Sequence, residues 1–337
     1  MSASPLYKEV FIMVRKIKKK KSGIREFVMF LLIVVVFAFV FKFIITPGNQ
    51  HEFEKEYVDK TTPIPSSEIE PDSSISISPD KLNSTNAILI RLKDQTTLMQ
   101  KNSEEKIYPA SLTKMMTAIV AIENLTNLQK EIQLTHYTFN GLYSANASMA
   151  GFQPGEKVRA IDLLYGVMLP SGAEACIGLA DQIAGSEQDF VAMMNQKAAD
   201  LGMDNTHFEN TTGLHNENHY TTVKDLAVLL SYALQNDTFR EIFTSSRHST
   251  QPTNKHPGGI TFNNTMFEKL NNQNIIDGEI LGGKTGYTDE AGLCLASLAK
   301  VGHQEYILIT AGAKGDIYSE QYNITDALVV YNRIGKQ

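Results

Sequence analysis

The chain has 337 residues, 42% of them hydrophobic, and a formal net charge of −6, which is enough apolar content for one large domain or two ordinary ones. Its dense basic cluster is confined to the first 25 residues, so the rest offers no electrostatic footprint for nucleic acid. No C-x-x-C pair or clustered His and Cys spacing proposes a metal site, no cofactor is implied, and the expected partner is a small or polymeric substrate.

Arg15, Lys16, Lys18, Lys19, Lys20, Lys21 and Arg25 precede an apolar run, residues 27–41, with Lys42 near its outer end. With that lysine able to snorkel, residues 26–45 amount to about 20 residues, enough to cross a bilayer core. A cleavable signal peptide would have a shorter apolar core and a small-x-small site just past Ile45, which is absent. The expectation is therefore a single-pass protein of the cell membrane: a basic cytoplasmic tail at 1–25, an uncleaved anchor at 26–45, and the rest outside. Residues 46–82, rich in Pro, Ser, Glu and Asp, read as a flexible stalk, and 83–337 as the catalytic domain. Cys176 and Cys294 both lie in apolar runs and are expected as buried free thiols; an extracytoplasmic location would permit a bond between them without implying one.

Residues 87–92 form an apolar run of strand length, and Asp94-Gln95 offers a turn before a second strand at 97–100. Next comes Tyr108-Pro-Ala-Ser-Leu-Thr-Lys-Met-Met-Thr-Ala118, where Pro109 and Ala110 lead into an apolar run of helical period. Ser111 at the helix start and Lys114 three residues on share one helix face, so the amine could take the proton of the hydroxyl. A lysine of pKa near ~10.4 is a poor base at neutral pH, and lowering it by ~3 units costs about 4 kcal/mol, so the pocket must be built for it. Taken alone, S-x-x-K is usually a capping serine and a solvated lysine.

Residues 161–168, 174–183, 189–201 and 222–234 carry helical patterns, strands return at 293–299 and 305–311, and a last amphipathic helix is expected at 319–332. The order of hairpin, helices, strands and helix is α+β. A sheet drawn from both ends of the chain, with helices inserted between, leaves a cleft where the parts meet. Two patterns could fall into it. Leu169-Pro-Ser-Gly-Ala173 would present the Ser171 hydroxyl from a loop, and Gly282-Gly-Lys-Thr-Gly-Tyr-Thr288 suits a strand approached closely by a ligand backbone. Each has a plain alternative, a helix-connecting turn and a loop with a solvated lysine. The second is not read as a phosphate-binding loop.

The order S-x-x-K, S-G-x, K-T-G resembles the penicillin-interacting serine enzymes. Residues 147–156, 201–210, 219–222 and 284–292 narrow the resemblance, over roughly 86–332, to the D-alanyl-D-alanine carboxypeptidases among the low-molecular-mass penicillin-binding proteins. That resemblance implies a β-lactamase or DD-peptidase-like fold, an antiparallel sheet flanked by helices with an all-helical subdomain. It implies a pocket for a peptidoglycan stem peptide ending in D-Ala-D-Ala, with β-lactam antibiotics as inhibitors. Ser111 would be the nucleophile, Lys114 its base and Ser171 a proton relay. Lys284 would help hold Lys114 neutral and attract the substrate carboxylate, Thr285 would bind that carboxylate, and the backbone N–H groups of Ser111 and Tyr287 would meet the oxyanion. His219 is expected to be a packing residue.

Two departures stand out. The family's second motif usually ends in Asn, whereas position 173 is Ala, and residues 316–321 lack the arginine that some members place near the final helix. A β-lactamase would need a carboxylate to activate deacylating water, and Glu268-Lys-Leu-Asn271 is one residue too short for the usual E-x-x-L-N and too close to the third motif. A non-catalytic wall-binding relative would fit the loss of Asn, but Ser111, Lys114, Ser171 and Lys284 are intact.

Overall fold

A computed structural model describes residues 78–270 and 272–336; the expected tail and anchor, and nearly all of the expected stalk, lie outside them. Among the described residues no helix is long and apolar enough to cross a membrane. At the end of the expected stalk Pro79–Lys81 form a 3-10 turn and Leu82 is buried.

Strands β1 (Asn86–Arg91) and β2 (Thr96–Lys101) make the expected hairpin. Two small ribbons, β3 (Glu131–Gln133) with β4 (Lys157–Arg159) and β5 (Arg247–Ser249) with β6 (Thr261–Asn263), lie among the helices. Strands β7 (Asn274–Ile275), β8 (Gly278–Thr288), β9 (Gly292–Val301) and β10 (Gln304–Ala313) complete a six-stranded sheet of order β2-β1-β10-β9-β8-β7. Every neighbouring pair in it is antiparallel. The chain's two ends meet at the β1 and β10 pair, with Asn86 opposite Ala311 and Arg91 opposite Tyr306.

Successive strand residues face opposite sides, and here both sides are apolar. Ile88, Ile90, Ile307 and Ile309 enter one core, whereas Ala87, Leu89, Tyr306 and Leu308 enter the other. Burial on both faces explains the continuous apolar runs in the sequence, each buried Leu or Ile contributing about 1.5–3 kcal/mol. On the second face lies the C-terminal helix, Tyr322–Ile334, through Ile324, Ala327, Val330 and Tyr331. It starts later than the expected 319 because the Asp316 carboxylate accepts the N–H groups of Tyr318 and Ser319 at 2.8 and 2.9 Å and turns the chain there.

The first face carries α1 (Thr113–Asn124), which is apolar on nearly every side and therefore must be surrounded. Around it pack α2 (Ala160–Met168), α3 (Ala173–Ala184), α4 (Glu187–Asp200), α5 (Val223–Ala233) and α6 (Asp237–Thr244). Their starts follow from capping chemistry: the Ser186 hydroxyl accepts Asp189 N–H at 3.1 Å and the Thr222 hydroxyl accepts Asp225 N–H at 3.0 Å. A short helix, α7 (Thr265–Lys269), leads back to the sheet, so the terminal helix is α8. β7 pairs with β8 only at Gly278 and Glu279, leaving the stretch of β8 that holds Lys284 and Thr285 clear of β7.

Candidate active site

Ser111 sits in a 3-10 turn, Ala110–Leu112, that packs against β8, and the α-helix expected to start at Ser111 begins just after it at Thr113. Ala110 has φ +46°, a costly conformation for a residue with a side chain. Surrounding backbone holds it there. A Cβ on Gly213 would lie 1.9 Å from the Ala110 carbonyl oxygen, and one on Gly286 would lie 3.2 Å from the Ser111 nitrogen. Those approaches account for the glycine in K-T-G and for a second one that the motif does not include.

Lys114 is 2% exposed because α1 is covered on all sides. Its Nζ lies 3.1 Å from Ser111 Oγ and 2.6 Å from the Thr212 carbonyl oxygen. Burial pushes its pKa down. A neutral amine at this place donates to Thr212 and keeps its lone pair for the Ser111 hydroxyl proton.

Ser171 occupies the loop between α2 and α3 with φ +67° and is 5% exposed. Gly172 beside it donates to the Gly166 carbonyl at 2.8 Å, and a Cβ there would sit 2.6 Å from Ala150 Cβ. Lys284 reaches across from β8. Fully buried, its Nζ donates to Ser171 Oγ at 3.0 Å and to the Thr285 carbonyl at 2.9 Å. Burial, and then the charge of Lys114, holds Lys284 well below the ordinary lysine range. Burial is the leading cause for both amines, and two like charges so close together mean that the pair resists holding two protons.

The Thr285 and Thr265 hydroxyls share a hydrogen bond at 2.6 Å. Tyr287 turns its phenol to Asp289 at 2.7 Å, a bond that pushes the phenol's pKa up to about 12. Its side chain is thus committed to Asp289, and it follows Gly286, the residue of β8 that lies against the Ser111 nitrogen. An open concavity of about 630 Å³, lined by Leu92, Arg240, His303 and Glu305 among others, holds none of these motif residues.

The family model for D-alanyl-D-alanine carboxypeptidases, peptidase family S11, matches residues 73–315. The chain belongs to this family. The D-alanyl-D-alanine carboxypeptidase DacF of Bacillus subtilis is 33% identical over 230 residues, covering 67% of this chain and 57% of that one. DacC of Escherichia coli is 33% identical over 240 residues, covering 68% and 56%. The chain thus spans a little over half the length of these curated relatives. The crystal structure of the Streptomyces K15 DD-transpeptidase superposes with a TM-score of 0.67 at 28% identity, covering 76% of this chain and 99% of that one. The expected DD-peptidase-like α+β fold is the one found.

Within this S11 site the two departures have clear surroundings. Ala173 is fully buried at the start of α3, and its N–H donates to the Ser148 carbonyl at 2.8 Å. Glu174, next to it, is also fully buried; its Oε1 accepts the N–H groups of Ala150, Gly151 and Phe152 at 2.7, 2.9 and 3.3 Å. Glu268, the carboxylate of the E-x-x-L-N-like stretch, is exposed and accepts from Asn263 Nδ2 at 3.1 Å.

His219 is a packing residue, as expected. It is buried, accepts Glu209 N–H on Nδ1 at 3.3 Å and meets Thr113 Oγ1 through Nε2 at 2.8 Å, and burial pushes its pKa down to about 4. The accepting Nδ1 makes Nε2 the protonated nitrogen of a neutral ring. Both cysteines are free and buried, and burial raises each thiol to about 12, so neither offers a thiolate.

Sequence reasoning missed two parts of the site. One is the turn 210–213: Asn210 Oδ1 accepts Thr212 N–H, Thr212 Oγ1 and Gly213 N–H at 3.1, 3.0 and 2.7 Å, and so aims the Thr212 carbonyl at Lys114. A backbone carbonyl has no residue signature, and Gly213 was its only signal. The other is Thr265, whose neighbours in sequence carry no motif.

Proposed function

We propose that the chain is a serine-type D-Ala-D-Ala carboxypeptidase that removes the terminal D-alanine from peptidoglycan stem pentapeptides. The observation that carries this reading is a pair of contacts across three separate segments, Lys114 to Ser111 at 3.1 Å and Lys284 to Ser171 at 3.0 Å, with both amines buried. Ser111 Oγ attacks the penultimate carbonyl carbon while its proton passes to Lys114. The oxyanion is met by the N–H groups of Ser111 and Tyr287. As the C–N bond breaks, Ser171 relays to the departing D-alanine amine the proton that Lys114 took from Ser111, which returns Lys114 to its neutral form. Water then attacks the Ser111 ester carbonyl, giving a proton to Lys114, and that proton passes back to Ser111 Oγ as the shortened peptide leaves.

Full-length protein incubated with a stem pentapeptide is expected to release one D-alanine per peptide, measured enzymatically. Absence of D-alanine would overturn the carboxypeptidase reading in favour of a non-catalytic one. Against a β-lactamase stands the placement of Glu268, exposed and bonded to Asn263 rather than facing Ser111.

We further propose that residues 26–45 anchor the protein in the cell membrane with the catalytic domain outside. Support comes from the length of the apolar run and the basic cluster before it. Full-length protein is expected in the membrane fraction; recovery of a soluble form beginning just past Ile45 would make the segment a signal peptide instead.

A further inference from the structure

Resting on the reading that Thr285 receives the substrate's terminal carboxylate, we propose that Thr265 is a second hydroxyl of that subsite and a determinant of specificity for a free C-terminal carboxylate. Thr265 is held from three directions. Its N–H donates to the Leu169 carbonyl at 3.3 Å, at the base of the loop that carries Ser171. Asn264 before it caps α7, accepting Met266 N–H at 2.9 Å, and donates through Nδ2 to the Gly283 carbonyl on β8 at 3.0 Å. The Thr265 hydroxyl then meets Thr285 Oγ1 at 2.6 Å. Both threonines are half-buried, so the hydroxyl pair is accessible at the cleft rather than sealed in the core.

Proton counting gives the pair its role. Two hydroxyls carry two protons, and the contact between them uses one. Whichever hydroxyl donates across the contact, the other keeps its proton and is left as an oriented donor polarised by the bond it accepts. An incoming carboxylate accepts that proton, and a charged acceptor gains more from it than a neutral one. The cation at hand does not replace this contact: Lys284 is fully buried, with its amine given to Ser171 and the Thr285 carbonyl. Residues 316–321, Asp-Ile-Tyr-Ser-Glu-Gln, contain no cation either. Recognition of the carboxylate therefore leans on the hydroxyl pair, and Thr265 is what fixes its geometry.

The test compares two peptides that differ only at the end, an acyl-lysyl-D-alanyl-D-alanine and its C-terminal carboxamide, with full-length wild-type, T265S, T265A and T265V proteins. For the free acid, T265V and T265A are expected to lower kcat/KM about tenfold, chiefly through KM, while T265S stays near wild type. For the carboxamide the same variants should change by no more than about twofold, which also shows that they are folded. Equal loss on both peptides in T265V and T265A would overturn the proposal in favour of a merely structural threonine, and no loss on either would remove Thr265 from the subsite. Wild-type protein inactive on both peptides would instead bring down the carboxypeptidase reading, and the subsite with it.

Discussion

Penicillin treatment of the protein is expected to add one penicilloyl mass to the peptide containing Ser111, and Ser111→Ala is expected to abolish both the adduct and D-alanine release. A β-lactam places a strained amide beside a carboxylate, so groups that bind and attack D-Ala-D-Ala should also open the ring. Loss of the nucleophile costs on the order of 10⁴-fold or more in turnover. The adduct should persist. After ring opening the leaving amine stays tethered and crowds the path of water, and Glu268 is exposed and bonded to Asn263 rather than placed to activate that water. Mass spectrometry over time reads both points, and rapid multiple turnover would support a β-lactamase instead. D-alanine release without an adduct would point to Ala173, and Ala173→Asn should then restore labelling.

Lys284→Ala is expected to lower kcat/KM at pH 7 by about 10²-fold, because it removes the donor that holds the Ser171 hydroxyl. The pH profile carries the sign. Lys114 acts as a base only when neutral, so activity rises as pH climbs through its pKa, which burial has pushed down. A neighbouring positive charge lowers that pKa further, and its removal raises it. The acidic limb of kcat/KM should therefore move to higher pH in Lys284→Ala. A drop in rate with the limb unmoved would show that burial alone tunes Lys114. An unchanged rate and profile would remove the third motif from the active site.

Much of the fold was legible because it depends on short-range pattern. The hairpin of β1 and β2 and the helices at 160–168, 173–184, 187–200 and 223–233 lie within a few residues of their expected bounds. The Ser111 and Lys114 contact was legible for the same reason, since one helical turn fixes it. The 3-10 turn at Ala110–Leu112 was not, because the strained Ala110 is imposed by the backbone of Gly213, far along the chain.

From its residues alone the sequence determined the α+β order, the apolar runs that become two-faced strands, the nucleophile and amine one turn apart, and, through the order of three motifs, the family. Tertiary structure decided everything that depends on distant segments meeting. Ser171 and Lys284 are 113 residues apart and touch only because β8 pairs beside β9 while the loop between α2 and α3 folds over it. Lys114 finds its acceptor 98 residues away in a backbone carbonyl, which no residue type announces. Thr265 gains its place from α7 packing on β8. The burial that lowers both lysines belongs to the same class: desolvation is a property of what surrounds a side chain, and local spacing along the chain says nothing about its surroundings.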